Sequence, residues 1–292
     1  MKKNLFITSK SDIEASNNQI LIKSQELKKV PILLIDNIFI FGKSQIDYRA
    51  IDLSLKNGIN IYFLSYSGRL KGILSNIYLK SNHKNRILQY ELYQNRKLDV
   101  AKNIVLAKID SIERSLILDF EKEKSLVKNA KAIETILGYE GVVSKYFFDD
   151  IRSRLKRVSI DFKSRSYNPA KDFVNASLSF VYTLYYLLLY PIIISKGFDS
   201  YLGFLHKKRG EHHCFISDIM EINRVSLSNF VINLIVDEVV RADDFDKDLK
   251  LKQEKLKAII YEFILNFIEN REELDESKKF IKRLIDANSY VN

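Results

Sequence analysis

The sequence predicts an α+β protein in which a small N-terminal β-rich, sandwich-like domain, residues 1–76, precedes a larger all-helical domain, residues 77–292. Short β-branched and aromatic runs separated by turn residues fill the first part of the chain, as expected of strands. From about residue 77 the apolar period lengthens from two residues to 3.6, which is typical of helices. Nine glycines and three prolines in 292 residues also favour long helices.

Five apolar runs in the N-terminal part predict strands, and one helix is expected among them. Asn17-Asn18 predicts a turn between two strands. The helix is expected to begin at Ser44, with Asp47 completing a capping-box-like pair, and to end at a left-handed Gly58. The predicted strands cover 5–8, 20–22, 32–35, 38–41 and 61–64.

The second part of the chain predicts a series of helices. Residues 84–117 are expected to form one long helix, with Ile87 and Tyr90 on its apolar stripe. A second helix is expected to close at Gly138, and a third to follow Gly141. Three or four more helices are expected after residue 195.

The run 173–195 contains no charged residue and is long enough to span a bilayer. Its four tyrosines, its polar residues and Pro191 favour a buried core helix instead, because a helix that is apolar all round can form the centre of a globular protein. A membrane span is the alternative interpretation.

The charge of the chain favours a polyanionic partner. Lys and Arg total 47 against 37 Asp and Glu, a formal net charge of +10. Between residues 145 and 171, eight basic residues stand against three aspartates, although a solvated helix surface is an equally good interpretation of this basic window. The single cysteine, Cys214, excludes an intramolecular disulfide and a Cys-rich zinc site. A single cysteine is also what we expect of a protein in the reducing cytoplasm. The N-terminal apolar run is too short for a signal peptide, which favours the same location.

The stretch 203–224 contains three of the four histidines, followed by two carboxylates. Asp218 and Glu221 are three residues apart in a segment with helical apolar spacing, so both carboxylates are expected on one face. His206 comes just before a basic turn interrupted by Gly210. An imidazole and carboxylates that converge on one point suit Mn²⁺ or Mg²⁺ better than a structural zinc ion.

Three other polar features each allow a functional and an ordinary interpretation. Glu140 lies between two glycines at an expected helix junction. Its ordinary interpretation is a first-turn glutamate whose negative charge interacts favourably with the helix dipole. Asn175 lies inside an apolar helix, where a buried amide requires partners. His212 and His213 are candidates for further metal or phosphate contacts, but a surface role is the simpler interpretation.

Several short motifs occur in a characteristic order. They are Gly138-x-Glu140-Gly141 followed by Tyr146-Phe147, then Asp172-x-x-Asn175-Ala176 leading to Tyr182, then Gly197-Phe198-Asp199 with Gly203-Phe204-Leu205-His206, and finally Asp218-x-x-Glu221. The N-terminal half matches more loosely through Phe41-Gly42, Gly58-Ile59-Asn60-Ile61 and Gly68. In this order the motifs resemble the CRISPR-associated protein one family, the spacer-acquisition integrases and metal-dependent DNA endonucleases, over nearly the whole chain. Arg224-Val225 stands where the family often has a proline, a departure that concerns local loop shape.

The resemblance implies an N-terminal domain that pairs two subunits and a helical catalytic domain that holds Mg²⁺ or Mn²⁺. Glu140, His206 and Glu221 fall on the metal ligands of the family, and Asp218 is a neighbouring catalytic carboxylate that joins or orients the site. The implied activity is DNA cleavage by water and strand transfer by a 3′-hydroxyl, which inserts short foreign fragments into a CRISPR array. A basic DNA-binding clamp without a catalytic metal is the alternative.

The implied partners are double-stranded DNA, as protospacer and CRISPR repeat, a second copy of the chain, and the CRISPR-associated protein two; no membrane is implied. The basic window and the residues beside His206 are expected to hold backbone phosphates, which position DNA without reading its sequence. The expected nucleic-acid contacts are Arg154, Lys156, Arg157, Arg165, Asn175, Tyr182, Lys207, Lys208, Arg209 and Arg224.

Overall fold

The computed structural model describes residues 3–65, 70–76, 83–166, 169–207, 210, 212–269 and 272–286. The chain forms two compact units. The β unit comprises Met1–Lys80 with Asp246–Tyr261, and the helical unit comprises Ser81–Phe245 with Glu262–Asn292. A β-rich N-terminal region followed by a helical region confirms the predicted α+β fold class.

The elements of the N-terminal region are eight strands, one α-helix and one 3₁₀ turn within the described residues. They are β1 (Lys3–Ile7), β2 (Asp12–Ser16), β3 (Gln19–Lys23), β4 (Leu27–Pro31), a 3₁₀ turn (Ile32–Leu34), β5 (Ile35–Phe41), β6 (Gln45–Ile46), α1 (Tyr48–Lys56), β7 (Asn60–Leu64) and β8 (Leu70–Leu74).

The elements described after residue 76 are helices or single helical turns. The described helices are α2 (His83–Asn95), α3 (Lys97–Leu116), α4 (Glu121–Asn129), α5 (Ile133–Arg157), α6 (Phe173–Ser195), α7 (Cys214–Glu221), α8 (Arg224–Val236), a 3₁₀ turn (Ala242–Asp244), α9 (Gln253–Ile264), a π-helical segment (Leu265–Glu269) and α10 (Glu272–Asp286).

The strands form two four-stranded sheets. The first has the order β1-β5-β7-β8, with β1, β5 and β7 parallel and β8 antiparallel to β7. The second has the order β4-β3-β2-β6. Parallel neighbouring strands require a long connection. Here the connection from β1 to β5 contains strands β2, β3 and β4, and the connection from β5 to β7 contains α1. Phe6, Phe39 and Tyr62 lie in register across the first sheet, and their rings stack with centroids 4.8 and 4.6 Å apart.

The two sheets share one apolar core, as the predicted sandwich-like arrangement requires. Ile13 and Ile20 of the second sheet, Ile38 and Ile61 of the first sheet and Ala50 of α1 all belong to one cluster of buried side chains. Each is at most 1% exposed. Burial on this scale is what stabilises two sheets that face each other.

Local sequence signals identified the turns of the β unit better than its strands. Asn17 and Asn18 have positive φ angles of 50° and 57°, so they form the predicted turn of the β2–β3 hairpin. The prediction of a strand over 32–35 was wrong, because Ile32–Leu34 forms a 3₁₀ turn that leads into β5. Strands β2, β4 and β8 were missed, since none of them contains a run of three apolar residues and each is defined by its hydrogen-bonded partner.

Helix α1 begins later than predicted. Asp47 is its N-cap and accepts a 2.7 Å hydrogen bond from the backbone N–H of Ala50. Ser44 cannot begin the helix, because Gln45–Ile46 pairs with β2 as a short strand. Gly58 has a φ of 71°, which confirms the predicted left-handed end.

The long helix predicted over 84–117 is two helices, α2 and α3, separated at Arg96. The inward stripe was also misplaced in α2, since Ile87 and Tyr90 are 54% and 45% exposed. The buried residues of α2 are Asn85, Leu88, Gln89 and Leu92. The amide of Gln89 donates to the carbonyl of Asp199 at 2.9 Å and accepts from its N–H at 2.7 Å. A buried amide that is satisfied by a distant loop cannot be recognised from apolar spacing.

The helix break predicted between Gly138 and Gly141 does not occur. Helix α5 runs through both glycines, and a Cβ at either position would meet no atom within 4 Å. A glycine in a helix interior costs about 1 kcal/mol relative to alanine, which a 25-residue helix with a buried face can offset. Glu140 therefore lies within a continuous helix and not at a helix start.

Helix α6 is the core helix of the helical unit. Its N-cap is Asp172, which accepts a 2.7 Å hydrogen bond from the N–H of Asn175. Among the described helices, α6 is the only one that is by itself long and apolar enough to cross a membrane. However, 61% of its most apolar 18-residue stretch is buried, and the helix packs against α7 and α8. The pair α7 and α8 passes the same test only as one span bent by 71°. These features are those of a core helix and do not indicate a membrane protein.

Candidate metal centre

Four helices and one loop of the helical unit bring charged side chains to one point. Helix α3 packs against α5, α7 and α8, so side chains from all four helices can meet along it. Helix α3 contributes Lys108, α5 contributes Glu140, α7 contributes Glu221, and Arg224 begins α8. His206 comes from the segment that precedes α7.

The centre of the cluster is the ammonium group of Lys108, which lies between two carboxylates. Its Nζ is 2.6 Å from Oε1 of Glu140 and 2.8 Å from Oε2 of Glu221. The three side chains are 13%, 18% and 7% exposed, so the pairing is largely shielded from water. Burial opposes the charged form of Lys108, but the carboxylates of Glu221 and Glu140 outweigh it and raise the pKa of the ammonium. Glu140 also accepts a hydrogen bond from the hydroxyl of Ser144.

Glu221 is held as a carboxylate by a second cation. Arg224 donates to its Oε1 from Nε at 3.1 Å and from a terminal nitrogen. Burial alone would raise the pKa of Glu221, yet Arg224 and Lys108 hold that pKa well below its usual range. The guanidinium of Arg224 lies over the ring of Tyr182, 4.4 Å from its centroid, which fixes the arginine in place.

The side chain of Asp218 orients His206. It is fully buried and accepts hydrogen bonds from the backbone N–H groups of Phe204, Leu205 and His206. It also lies 2.7 Å from Nδ1 of His206. A carboxylate can only accept, so Nδ1 carries a proton, and in the neutral imidazole Nε2 then has the lone pair. Of the two roles predicted for Asp218, joining the site or orienting it, these contacts favour the second.

The segment that carries His206 passes very close to α7. A Cβ at Gly203 would lie 2.6 Å from Cβ of Cys214 and 3.0 Å from Oδ2 of Asp218, so a glycine is required there. The close approach is what allows Asp218 to reach three successive backbone N–H groups. Nε2 of His206 then lies 3.9 Å from Oε1 of Glu221.

Glu140, His206 and Glu221 offer donor atoms of the kind that a divalent cation takes, although as placed these atoms do not all lie within 4.8 Å of one another. The two carboxylates already share one positive charge, and the free imidazole nitrogen is aimed at one of them. One nitrogen and carboxylate oxygens form a donor set suited to Mn²⁺ or Mg²⁺. When bound, such an ion would neutralise charge on a phosphate and activate an attacking hydroxyl group.

A second acidic group lies elsewhere in the helical unit. Among the described residues, the carboxylates whose oxygens already lie within 4.8 Å of one another are Glu113, Asp119 and Glu121. Lys124 is paired with two of them, 2.7 Å from Glu113 and 2.5 Å from Glu121. Asp119 and Glu121 are exposed, and no imidazole belongs to this group, so it resembles an ordinary surface ion-pair network.

Lys108 was missed by the sequence analysis, although the chain contained a signal. Ile104 and Ile112 are both fully buried, and Lys108 lies four residues from each of them. That spacing places a lysine on the buried stripe of α3. A charged residue on an apolar stripe requires a partner, so it should have been assigned to a buried ion pair.

The predicted phosphate-binding residues fall into two groups. Lys156 and Arg157 are exposed at the end of α5, and Lys207 is 74% exposed and pairs with Glu134. Arg154 instead donates to the side chains of Asn229 and Asn233, at 2.8 and 2.6 Å. Lys208 and Arg209 lie outside the described residues.

Asn175, Tyr182 and Arg165 form internal contacts. Asn175 is fully buried and uses both ends of its amide, donating to Asp172 and accepting from Arg165. The hydroxyl of Tyr182 bonds to Ser228 at 2.7 Å. With Asn175 fully buried and Tyr182 7% exposed, both side chains are bonded within the protein, and their contacts with nucleic acid stay a prediction. Arg165 and Arg224 are likewise committed to partners within the protein.

His212 and His213 do not join the cluster. His213 bonds to Ser200 through Nδ1 at 2.8 Å, and its ring lies 4.2 Å from that of Tyr201. His212 bonds to Ser217 through Nε2 at 2.9 Å. His212 is exposed and His213 is half-buried, and the role of this pair stays a prediction.

Comparisons with known proteins bear on the family of the chain. The family model described as "CRISPR associated protein Cas1" matches residues 5–264. A CRISPR-associated protein Cas1 of Methanobrevibacter ruminantium is 28% identical over 270 residues, covering 80% of this chain and 78% of that protein. A CRISPR-associated endonuclease Cas1 of Fusobacterium nucleatum is 22% identical, covering 90% and 84%.

Solved structures show the same fold. A Cas1 protein from Thermotoga maritima aligns with a TM-score of 0.81 at 20% identity, over 97% of both chains. A casposase bound to an integration product aligns with a TM-score of 0.72 at 22% identity, over 90% of this chain and 82% of that one. A chain of a partial Cas6-RT-Cas1–Cas2 complex aligns with a TM-score of 0.67 at 19% identity, over 99% and 97%. The family model spans residues 5–264, and the fold is shared over 97% of the chain. This chain therefore belongs to the CRISPR associated protein Cas1 family.

Proposed function

We propose that the protein is a metal-dependent DNA endonuclease and integrase that inserts short DNA fragments into a CRISPR array. The observation that carries the proposal is that Glu140 and Glu221 meet at the ammonium of Lys108, while Nε2 of the oriented His206 lies 3.9 Å from Glu221. Relatives that are named endonucleases, and a casposase of the same fold bound to an integration product, support the activity. Mg²⁺ or Mn²⁺ is the expected ion, with Glu140, His206 and Glu221 as its ligands.

The chain's own residues prepare the site for one reaction with two nucleophiles. Asp218 fixes the imidazole of His206 so that Nε2 is available, and Arg224 keeps Glu221 ionised. A divalent ion held there would neutralise charge that develops on a phosphodiester. Attack by water gives cleavage, and attack by a DNA 3′-hydroxyl gives strand transfer.

We expect the exposed cationic side chains, and not the buried ones, to contact DNA. Lys156, Arg157 and Lys207 are the candidates, because their side chains can reach phosphates without breaking buried pairs. Double-stranded DNA, a second copy of this chain and the Cas2 protein are the partners proposed, and a structure of the same fold comes from a complex that includes Cas2. The proposed location is the cytoplasm, where the DNA substrate lies.

The test is a nicking and strand-transfer assay with single and double variants. Glu140→Ala, His206→Ala and Glu221→Ala should each abolish both activities while DNA binding survives. A double variant should be scarcely worse than a single one, because residues that act as one unit are non-additive. Glu121→Ala, in the exposed acidic group, is the matched control and should retain activity. Activity in excess EDTA, or loss in Glu121→Ala alone, would contradict the assignment of the metal ligands. Absence of nicking and strand transfer in the wild-type protein would favour a DNA-binding clamp without a catalytic metal.

A further inference from the structure

The charge of the candidate centre is nearly balanced without any divalent ion. Glu140, Glu221 and Asp218 supply three negative charges, and Lys108 and Arg224 supply two positive ones. With a neutral imidazole at His206 the sum is −1. Adding a divalent ion makes the sum +1, and adding one phosphodiester as well returns it to zero. A largely buried site penalises uncompensated charge heavily.

Lys108 is the residue that creates this balance. Its ammonium contacts both acidic ligands, at 2.6 and 2.8 Å, and is only 13% exposed. A divalent ion that binds the same two carboxylates must share or replace this contact. The exposed ion pairs of the helical unit, such as Lys207 with Glu134, impose no such competition, because both side chains are solvated.

We infer that Lys108 is a positioning residue that makes metal binding depend on DNA, and this inference rests on the proposed metal site. Without DNA, the ammonium competes with the divalent ion for Glu140 and Glu221. With DNA, a phosphodiester supplies the missing negative charge, and the ammonium and the ion are both compensated. Coupling between two ligands is reciprocal, so the metal strengthens DNA binding by the same factor. The consequence is a centre that holds its ion weakly until a DNA phosphate is present.

The inference can be tested by measuring Mn²⁺ affinity with no reference to activity. Free Mn²⁺ is followed by electron paramagnetic resonance during titration of the full-length protein, with and without a short DNA duplex, and a titration of the duplex alone corrects for ions bound by DNA. In the wild-type protein we expect DNA to tighten Mn²⁺ binding at least about fivefold, the lower end of typical coupling between sites. Equal affinity with and without DNA would overturn the inference.

Variants assign the effect to Lys108. Lys108→Met removes the charge and keeps the length, so Mn²⁺ should bind at least about fivefold more tightly than in wild type without DNA, and DNA should add little. Lys108→Arg keeps the charge and should stay close to wild type. The matched control is Lys102→Met on the same helix, where Nζ bonds to the carbonyl of Lys128 at 2.7 Å and contacts no ligand carboxylate.

The outcomes separate this inference from the proposed function. Mn²⁺ binding that is no tighter in Lys108→Met than in wild type would overturn the role of Lys108 while leaving the metal site in place. Absence of Mn²⁺ binding in every variant would overturn both. If Lys108→Met fails to fold, Lys108→Gln takes its place with the same expected result, and equal Mn²⁺ affinity of the wild-type protein with and without DNA would still overturn the inference.

Discussion

Replacing Asp218 with asparagine keeps the size of the side chain but removes one of its two acceptor oxygens. Oδ1 accepts from the backbone N–H of His206 at 2.9 Å and faces Nδ1 at 2.7 Å. Oδ2 accepts from the N–H groups of Phe204 and Leu205. An amide offers one acceptor oxygen and one NH₂ group, so in either orientation the NH₂ group must face hydrogen-bond donors.

The two orientations have different costs. If the NH₂ group faces Phe204 and Leu205, two buried N–H groups lose their acceptor, which costs about 1–3 kcal/mol each, or roughly 2–6 kcal/mol of folding stability. If it faces His206, one backbone N–H loses its acceptor, at about 1–3 kcal/mol. Nδ1 must then accept, and the proton moves to Nε2. Without a lone pair on Nε2 the metal affinity should fall about 10–100-fold, as when a partner that orients a ligand is lost.

Two measurements on one preparation of the Asp218→Asn protein distinguish the two orientations of the asparagine. Urea unfolding of the metal-free Asp218→Asn protein gives the stability loss, and Mn²⁺ titration of the folded protein gives the metal affinity. Asp161→Asn, at an exposed aspartate, is the control and should change neither quantity by much. An Asp218→Asn protein with wild-type stability and wild-type Mn²⁺ affinity would refute the role assigned to this carboxylate.

Three further changes follow from the geometry. Gly203→Ala should lower the free energy of unfolding by about 1–3 kcal/mol, because its Cβ would lie 2.6 Å from Cβ of Cys214; an unchanged melting temperature would contradict the close approach. Ile117→Gly should raise stability by about 1 kcal/mol in urea unfolding, since this 91% exposed residue ends α3 with a left-handed φ of 54°. Arg157→Gln should reduce the slope of log K for DNA against log salt by about 0.9, whereas Arg154→Gln, at a residue already bonded within the protein, should leave the slope unchanged. Equal slopes for these two variants would count against the division into exposed and internal cations.

The sequence alone predicted those features that depend on neighbouring residues. The change of apolar period separated strands from helices, and the Asn17-Asn18 turn and the left-handed Gly58 were correct because turn conformations are selected locally. Asp218 and Glu221 were placed on one helix by a spacing of three residues, and both lie on α7 as predicted. Strands β2 and β4, which contain no run of three apolar residues, were missed, because hydrogen bonds to a partner strand define them.

Features set by residues far apart in the chain were decided by the tertiary structure. Helix α5 continues through Gly138 and Gly141 because its buried face packs against α3, which outweighs the local preference of glycine for a helix end. Lys108 reaches Glu221 across 113 positions of sequence, and its role follows from burial and charge at that meeting point. A lysine on an apolar stripe shows in the sequence that a partner must exist. Only the packing of α3 against α5 and α7 determines that the partners are two carboxylates, because helical periodicity fixes which face a side chain occupies and not what that face meets.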